Sequence, residues 1–299
     1  MFEFILLFLF FYLLHGLGIT IGYHRLLSHR SFASNKFVEY FWVSLGYLAF
    51  QGPPIWWATM HRAHHRYVDT PLDPHSPRHD LKNAYFGWFQ HDSYPSHIDP
   101  ASQSKDLIKD RIYRFLELGG NWRRAIWMCH TISLALRLVI LLAFGWVPAL
   151  ASLCAGLLVL QIPLMLNVVC HIPKLGYKNF QCEDDSVNVW WVAILALGEG
   201  WHNNHHVYPG SARSGLRPHE FDLSWQVISF MRRLGLVSRV NDVAKEKVYL
   251  KPKNEEPKRS TVKVEPTIDL PAMTRYAHAA APVAAVVHQA AAIVQGTRT

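Results

Sequence analysis

The sequence predicts an all-α integral membrane protein, with transmembrane helices and a cytosolic helical cap that carries a histidine-rich di-metal site. Three observations carry this. Half of the 299 residues are hydrophobic, and they fall in long blocks, the mark of membrane spans more than of a soluble core. Nine of the 18 histidines stand in four groups at the ends of those blocks or between them. The basic residues crowd into the segments that carry these histidines, which marks one side of the membrane.

The first block, about residues 1–22, contains Glu3 as its one formal charge and is long enough to cross a bilayer, which takes about 20 apolar residues. It has no basic leader and no small-residue cleavage site before His24, so it reads as a retained span. The second block, 37–57, ends in Gln51, Gly52, Pro53 and Pro54. A full single crossing would put the histidines before it and after it on opposite sides, so it is expected to be re-entrant or interfacial.

The third block, Trp127 to Val169, is nearly twice the length of one span and is broken by Gly145, Trp146, Val147 and Pro148. Two antiparallel helices at about 127–146 and 149–170 are expected, because proline follows helix ends. Arg137 lies inside the first, where a lone charge costs at least about 2.5 kcal/mol; facing the protein interior or snorkelling would relieve it. The cap is then 58–126 and 171–240, completing a membrane domain of 1–240. The tail, 241–299, turns to Lys, Glu and Pro and then to alanine, a low-complexity composition expected to be disordered.

Arg62, Arg66, Lys105, Lys109, Arg111, Arg123 and Arg124 precede the hairpin, and Arg213, Arg217, Arg232 and Arg233 follow it. By the positive-inside rule the histidine side faces the cytoplasm. The net charge of +8 therefore reads as topology and attraction to membrane lipids, with no nucleic-acid footprint. Cys129, Cys154, Cys170 and Cys182 form no CxxC pair, so neither a zinc ribbon nor a disulfide scaffold is indicated.

The histidine groups are HRLLSH (His24, His29), HRAHH (His61, His64, His65), HNNHH (His202, His205, His206) and His171 at the end of the hairpin. On a helix, residues three and four apart share a face, while adjacent ones diverge by about 100°. Each triplet therefore suits two neighbouring metals better than one. His24 and His29, five apart, share no face of a regular helix and can meet at one metal only if the helix loosens. Asn167 and His171 are i and i+4, and polar groups there need partners; a metal for the histidine and a held water for the amide would supply them. Asp69, Asp73 and Glu199 are near enough in sequence to orient imidazoles. Imidazole suits iron, zinc, copper and nickel alike, so spacing leaves the metal open. Trp56, Trp57, Tyr67 and Trp201 are candidates to line a substrate channel or to anchor at the interface.

The boxes HRLLSH, HRAHH and HNNHH, with NVVCH ending at His171 and GEGWHNNHH from Gly198, resemble the membrane fatty acid desaturases, in particular the bacterial type of the stearoyl (delta-9) acyl branch. The resemblance covers residues 10–240. It implies two iron ions and O2 as co-substrate, with removal of two hydrogens from a methylene pair of a long-chain acyl-CoA or acyl-lipid to leave a cis double bond. By position it gives His24, His29, His61, His65 and His206 to one iron, and His64, His171, His202 and His205 to the other, with Asn167 holding a water.

That family has a further membrane helix before the one leading into HRLLSH, and here the chain starts almost directly with that latter helix. HNNHH differs from the HNYHH of the animal acyl-CoA enzymes, which leaves the acyl carrier open. No haem or cluster motif follows the boxes, so a separate electron donor such as cytochrome b5, ferredoxin or a reductase is implied, at a bacterial inner membrane. Hydroxylases and ketolases with similar boxes are the alternative reaction. A metal transporter is disfavoured, because its ligands belong near the bilayer midplane.

Overall fold

The computed structural model describes residues 1–90 and 94–243; most of the tail expected at 241–299 lies outside them. The described residues belong to one compact unit, Met1–Pro257. Among them, three helices are long and apolar enough to cross a membrane: Phe2–Ser28, Trp122–Phe144 and Trp146–Val169.

The first is α1 (Phe2–Leu17), which runs without a break into a π-helical segment, Gly18–Ser28. It therefore extends past the expected residue 22. Wholly buried, this segment is crossed by α2 (Lys36–Tyr47). Glycine makes the crossing close: a β-carbon on Gly18 would fall 2.4 Å from the Gly46 nitrogen, and one on Gly22 2.8 Å from the Trp42 carbonyl. Small residues let helix backbones approach in this way. Gly18→Leu is expected to cost about 1–3 kcal/mol by forcing the helices apart, and an unchanged melting temperature in detergent would refute the contact.

With 12 residues, α2 is about 18 Å long, too short to cross about 30 Å of hydrocarbon. The block expected at 37–57 is two helices, not one. After a turn at residues 48–53 the chain enters α3 (Pro54–Tyr67), which starts on a proline, whose missing N–H costs nothing at a helix start, and carries HRAHH. Short helices follow: α4 (Leu81–Tyr85), α5 (Pro100–Gln103), α6 (Lys105–Ile108) and α7 (Arg111–Glu117), with Asp80, Asp99 and Asp110 capping α4, α5 and α7.

The hairpin is α8 (Trp122–Phe144) and α9 (Trp146–Val169). Its break is one residue, Gly145, at φ 88° and ψ −178°, a backbone region open essentially to glycine. Pro148 stands in the first turn of α9, where its missing N–H leaves no hydrogen bond unmade. The expected helix starts at 127 and 149 are thus moved towards the N-terminus. α8 exposes Leu134, Leu138 and Leu142, whereas α9 packs along α1.

Arg137 faces inward. It is 5 % exposed, donates to the Ser133 carbonyl at 2.8 Å, lies 3.1 Å from His15 Nε2, and sits over the Phe50 ring. Neighbouring helices relieve the charge, as one of the sequence alternatives required.

Beyond the hairpin come α10 (Trp190–Leu195), α11 (His202–Val207), which carries HNNHH, and α12 (Leu223–Arg233). Among the described residues the fold is helical, with small exceptions to the all-α expectation: Ala33–Ser34 pairs antiparallel with Val237–Ser238, and Asn188 makes isolated bridges to Tyr177 and Trp201. The strand pairing ties the chain just after His29 to the chain just after α12.

Candidate metal centre

Four separate stretches bring the nine histidines together. In a π-helix each N–H reaches back five residues, and the His29 N–H does bond the His24 carbonyl at 3.1 Å. The five-residue spacing that fits no regular helix is the natural one here, and the two Nε2 atoms stand 3.1 Å apart.

From His24 the contacts form a closed circuit. His29 Nε2 is 2.8 Å from His61 Nε2, His61 3.1 Å from His65, His65 2.9 Å from His205, and His205 3.1 Å from His24. A second group joins His171 to His202 at 3.1 Å and His202 to His206 at 3.0 Å, with His64 completing it. The two groups adjoin, the rings of His65 and His206 being 4.6 Å apart.

The grouping of the rings differs in one respect from the division the resemblance implies: His205 lies with His24, His29, His61 and His65, and His206 with His64, His171 and His202. Residues four apart stack on one helix face. On α3 the i, i+4 pair His61 and His65 joins the first group and His64 the second. On α11 the i, i+4 pair His202 and His206 joins the second group and His205 the first. The two helices present the same pattern with the groups exchanged.

The donor set fits metal ions. An imidazole nitrogen lies about 2.0–2.1 Å from a bound divalent ion, so ligands at right angles around one ion stand about 3 Å apart, the spacing found. Four Nδ1 atoms face carboxylates: His24 to Glu199 at 2.9 Å, His64 to Asp73 at 3.0 Å, His171 to Asp69 at 3.1 Å and His206 to Asp184 at 3.6 Å. A carboxylate takes the ring proton to its own side and leaves Nε2 as a lone pair. Lone pairs converging without a cation repel one another, and His64 Nε2 is buried with no hydrogen-bond partner. Burial, with the charge of neighbouring imidazoles, pushes His29, His61, His65, His202 and His205 well below the ordinary histidine range, which keeps them neutral as ligation requires.

The carboxylates are themselves built in. Asp69, at φ 56°, turns the chain after α3 and accepts from Ser76 Oγ and the Asp185 N–H. Asp73 accepts from the Asp69 and His75 N–H groups. Burial by itself would raise both carboxyls, but the hydrogen bonds and charges of His171 and His64 outweigh it and hold them well below the usual range. Glu199 also receives Arg25 Nε at 3.0 Å, while Arg25 reaches Asp222 at 3.0 Å and the Ala212 carbonyl at 2.7 Å. This arginine is 1 % exposed and binds the end of the first span to the chain around α11.

The asparagines of HNNHH hold α11 in place. Asn203 Oδ1 accepts the N–H groups of Asn179 and Phe180, and Asn204 reaches Glu220 and the Ser214 carbonyl. Asn167 lines a small cavity with Gln51, Trp57, His61, His75 and Trp88.

Sequence reasoning found Asp69, Asp73 and Glu199 but missed Asp184, Arg25 and His75. Arg25 lies within HRLLSH, where a charge at the end of an apolar span was a signal that it has a buried partner. Of the aromatic candidates, only Trp57 lines the larger cavity. Trp56 and Trp201 are buried at 2 % and 4 %, and Tyr67 packs beside Trp56 and Met60, so the interfacial anchoring considered for Trp56 and Trp201 does not hold.

That larger cavity, about 540 Å³ with the open solvent at its mouth counted, runs between α1, α9 and α10, and His24, His61 and His202 lie in its wall. Tyr12, Gly16, Ile19, Val159, Ile162 and Leu195 are among the residues that line it. Apolar walls leading to a few converging polar groups are the form of a small-molecule site; here the fit is to an alkyl chain.

The family model for "Fatty acid desaturase" matches residues 3–226. An sn-1 stearoyl-lipid 9-desaturase of Anabaena variabilis is 40% identical over 233 residues, 78% of this chain and 81% of that protein. One from Synechocystis is 37% identical over 248 residues, covering 78% and 70%. Delta-9 acyl-lipid desaturase 2 of Arabidopsis thaliana is 36% identical over 231 residues, covering 77% and 72%.

Proposed function

The chain belongs to the fatty acid desaturase family, and on that premise we propose that it introduces a cis double bond at the 9 position of a stearoyl chain carried on a glycerolipid. Fatty acid desaturation is its activity. The acyl-lipid carrier and the 9 position follow the printed names of its cyanobacterial and plant relatives. The observation that carries the reading is the apolar cavity whose wall includes histidines of both groups.

Two iron ions are proposed, one held by His24, His29, His61, His65 and His205 and the other by His64, His171, His202 and His206, with Asn167 holding a water. Bound there, they would supply what no acid or base can, the activation of O2 against an unreactive C–H bond. The protein's own part is positional. The cavity fixes one methylene pair beside the histidines and excludes water, while Asp73 and Asp69 hold His64 and His171 in one tautomer and orientation, and Glu199 and Asp184 place negative charge beside His24 and His206. Electrons come from a separate donor. The reading puts the histidine cap at the cytoplasmic face of a bacterial inner membrane, in line with the basic residues that flank the boxes.

Tyr12 is twelve residues before His24 on one continuous helix, roughly 18 Å away at a helical rise, and its hydroxyl donates to the Leu195 carbonyl, closing α1 against α10. Tyr12→Ala is expected to open that end and shift the products towards longer chains. Gas chromatography of the host's acyl chains checks this, and an unchanged distribution removes Tyr12 as the end wall.

The reading as a whole is tested by expressing the chain with a reductase system and localising double bonds in intact lipids by mass spectrometry. A new 9-alkene in glycerolipids supports it. The alkene in acyl-CoA alone, or at another carbon, overturns the carrier or the position.

A further inference from the structure

The mechanism leaves unused a column of aromatic rings that runs away from the second histidine group. His75, buried at 3 % exposure, lies against His64 with ring centroids 4.3 Å apart and planes at 28°. Its other side meets Trp88 at 5.0 Å. Trp88 is parallel to Trp56 at 5.1 Å and 4°, and Trp56 is stacked on Trp122 at 3.9 Å and 11°. Beside the column, Glu117 accepts the Trp56 backbone N–H at 3.1 Å and the Tyr94 hydroxyl at 2.5 Å.

We propose that this column is an escape route for oxidising equivalents, leading from the histidine site through Trp88 and Trp56 to Tyr94, which gives up one electron while its phenolic proton passes to Glu117. The proposal rests on the reading that the histidines hold an oxygen-activating metal centre.

Apart from thiols, indole and phenol are the side chains that most readily lose a single electron, and rings in contact pass it on. Apolar contact is all that packing requires, and leucine or phenylalanine supplies it. Three stacked indoles, with a phenol packed against the same cluster that already has a proton acceptor in place, supply redox chemistry as well. Burial raises the Glu117 carboxyl to about 7, so near neutral pH it is able to take the proton and return it. The need is clear when dioxygen is reduced while the cavity holds no acyl chain, since the oxidisable groups left at the site are then the histidines themselves.

Tyr94 contributes one electron and releases one proton. Reduction of O2 to two waters takes four electrons and four protons; the external donor supplies three of the electrons and solvent the protons, and the fourth electron leaves Tyr94 and reaches the site through Trp56 and Trp88. The phenolic proton moves from Tyr94 to Glu117 Oε1. An external thiol or ascorbate then returns one electron to the tyrosyl radical, and Glu117 returns the proton.

The test uses the metal-loaded, full-length chain in lipid nanodiscs, first assayed for alkene formation on acyl lipid. The same preparation is then reduced, exposed to O2 without acyl lipid, frozen, and examined by electron paramagnetic resonance and by mass-spectrometric mapping of oxidised residues. The expected result is a radical signal that narrows on ring deuteration of tyrosine and is lost in Tyr94→Phe. Tyr94→Phe should keep the initial desaturation rate but complete fewer turnovers before inactivation. Trp88→Phe, which preserves an aromatic ring, should also lose the signal and gain oxidised histidine at His64 or His75. A preparation that forms alkene but shows no Tyr94-dependent radical, with the same oxidised residues in all three proteins, overturns the proposal. One that forms no alkene overturns the desaturase reading and this inference with it.

Discussion

If each histidine group holds one iron as proposed, His64→Ala is expected to abolish the alkene product and to lower bound iron from two ions per chain to about one. His64 is the one histidine of α3 in the second group, and its Nε2 is buried without a hydrogen-bond partner, as a ligand nitrogen awaiting its metal would be. Alanine also removes the imidazole partner 3.0 Å from Asp73, a fully buried carboxylate left with the Asp69 and His75 N–H groups alone, and loss of a hydrogen bond to a buried charge costs about 1.5–3 kcal/mol. Part of the effect is therefore on stability. His64→Gln keeps bulk and a hydrogen bond to Asp73, and separates the two. Metal analysis and lipid profiling of both variants decide the matter: if either still forms product at the wild-type rate, His64 is not a ligand. His205→Ala and His206→Ala extend the test, since each should remove metal from a different group.

The second large effect is expected at Glu199, which stands in the cavity wall behind His24. It is 7 % exposed and stands between His24 Nδ1 and Arg25 Nε, at 2.9 and 3.0 Å. Burial would raise its carboxyl, and the charges of Arg25 and His24 more than reverse this, so it is ionised in the folded protein. Glu199→Gln keeps the shape and removes the charge. Orienting partners of metal-bound histidines are each worth about 10–100-fold in metal affinity or activity. Loss of one partner of a buried ion pair adds about 3 kcal/mol, the lower end of the usual range, because Asp222 still holds Arg25. Iron titration and a melting curve measure the two parts separately. Full affinity at wild-type stability would mean that His24 needs no carboxylate.

Much of the site was legible because it is local. The rule that i, i+3 and i+4 share a helix face is enough to show that HRAHH and HNNHH each offer ligands on two sides, and both segments are helical. The same rule stops at His24 and His29, since a π-helix is recognised by its hydrogen bonds, not by its composition. Asp69, Asp73 and Glu199 were found through nearness in sequence. Asp184 lies 22 residues from His206 and has no such signal.

The sequence by itself determined the presence of the apolar spans, a break within 145–148, the nine histidines and the family, since each depends on a short run of residues or on motif spacing. The tertiary structure alone decided which histidine joins which group, because exchanging His205 and His206 is a matter of how α11 is rotated against α3. That rotation is set by Asn203 and Asn204 bonding to residues 179–220. The cavity and the Trp88–Trp56–Trp122 column were likewise beyond the sequence. Their walls come from segments far apart in the chain, and only packing reveals which side chains share a space.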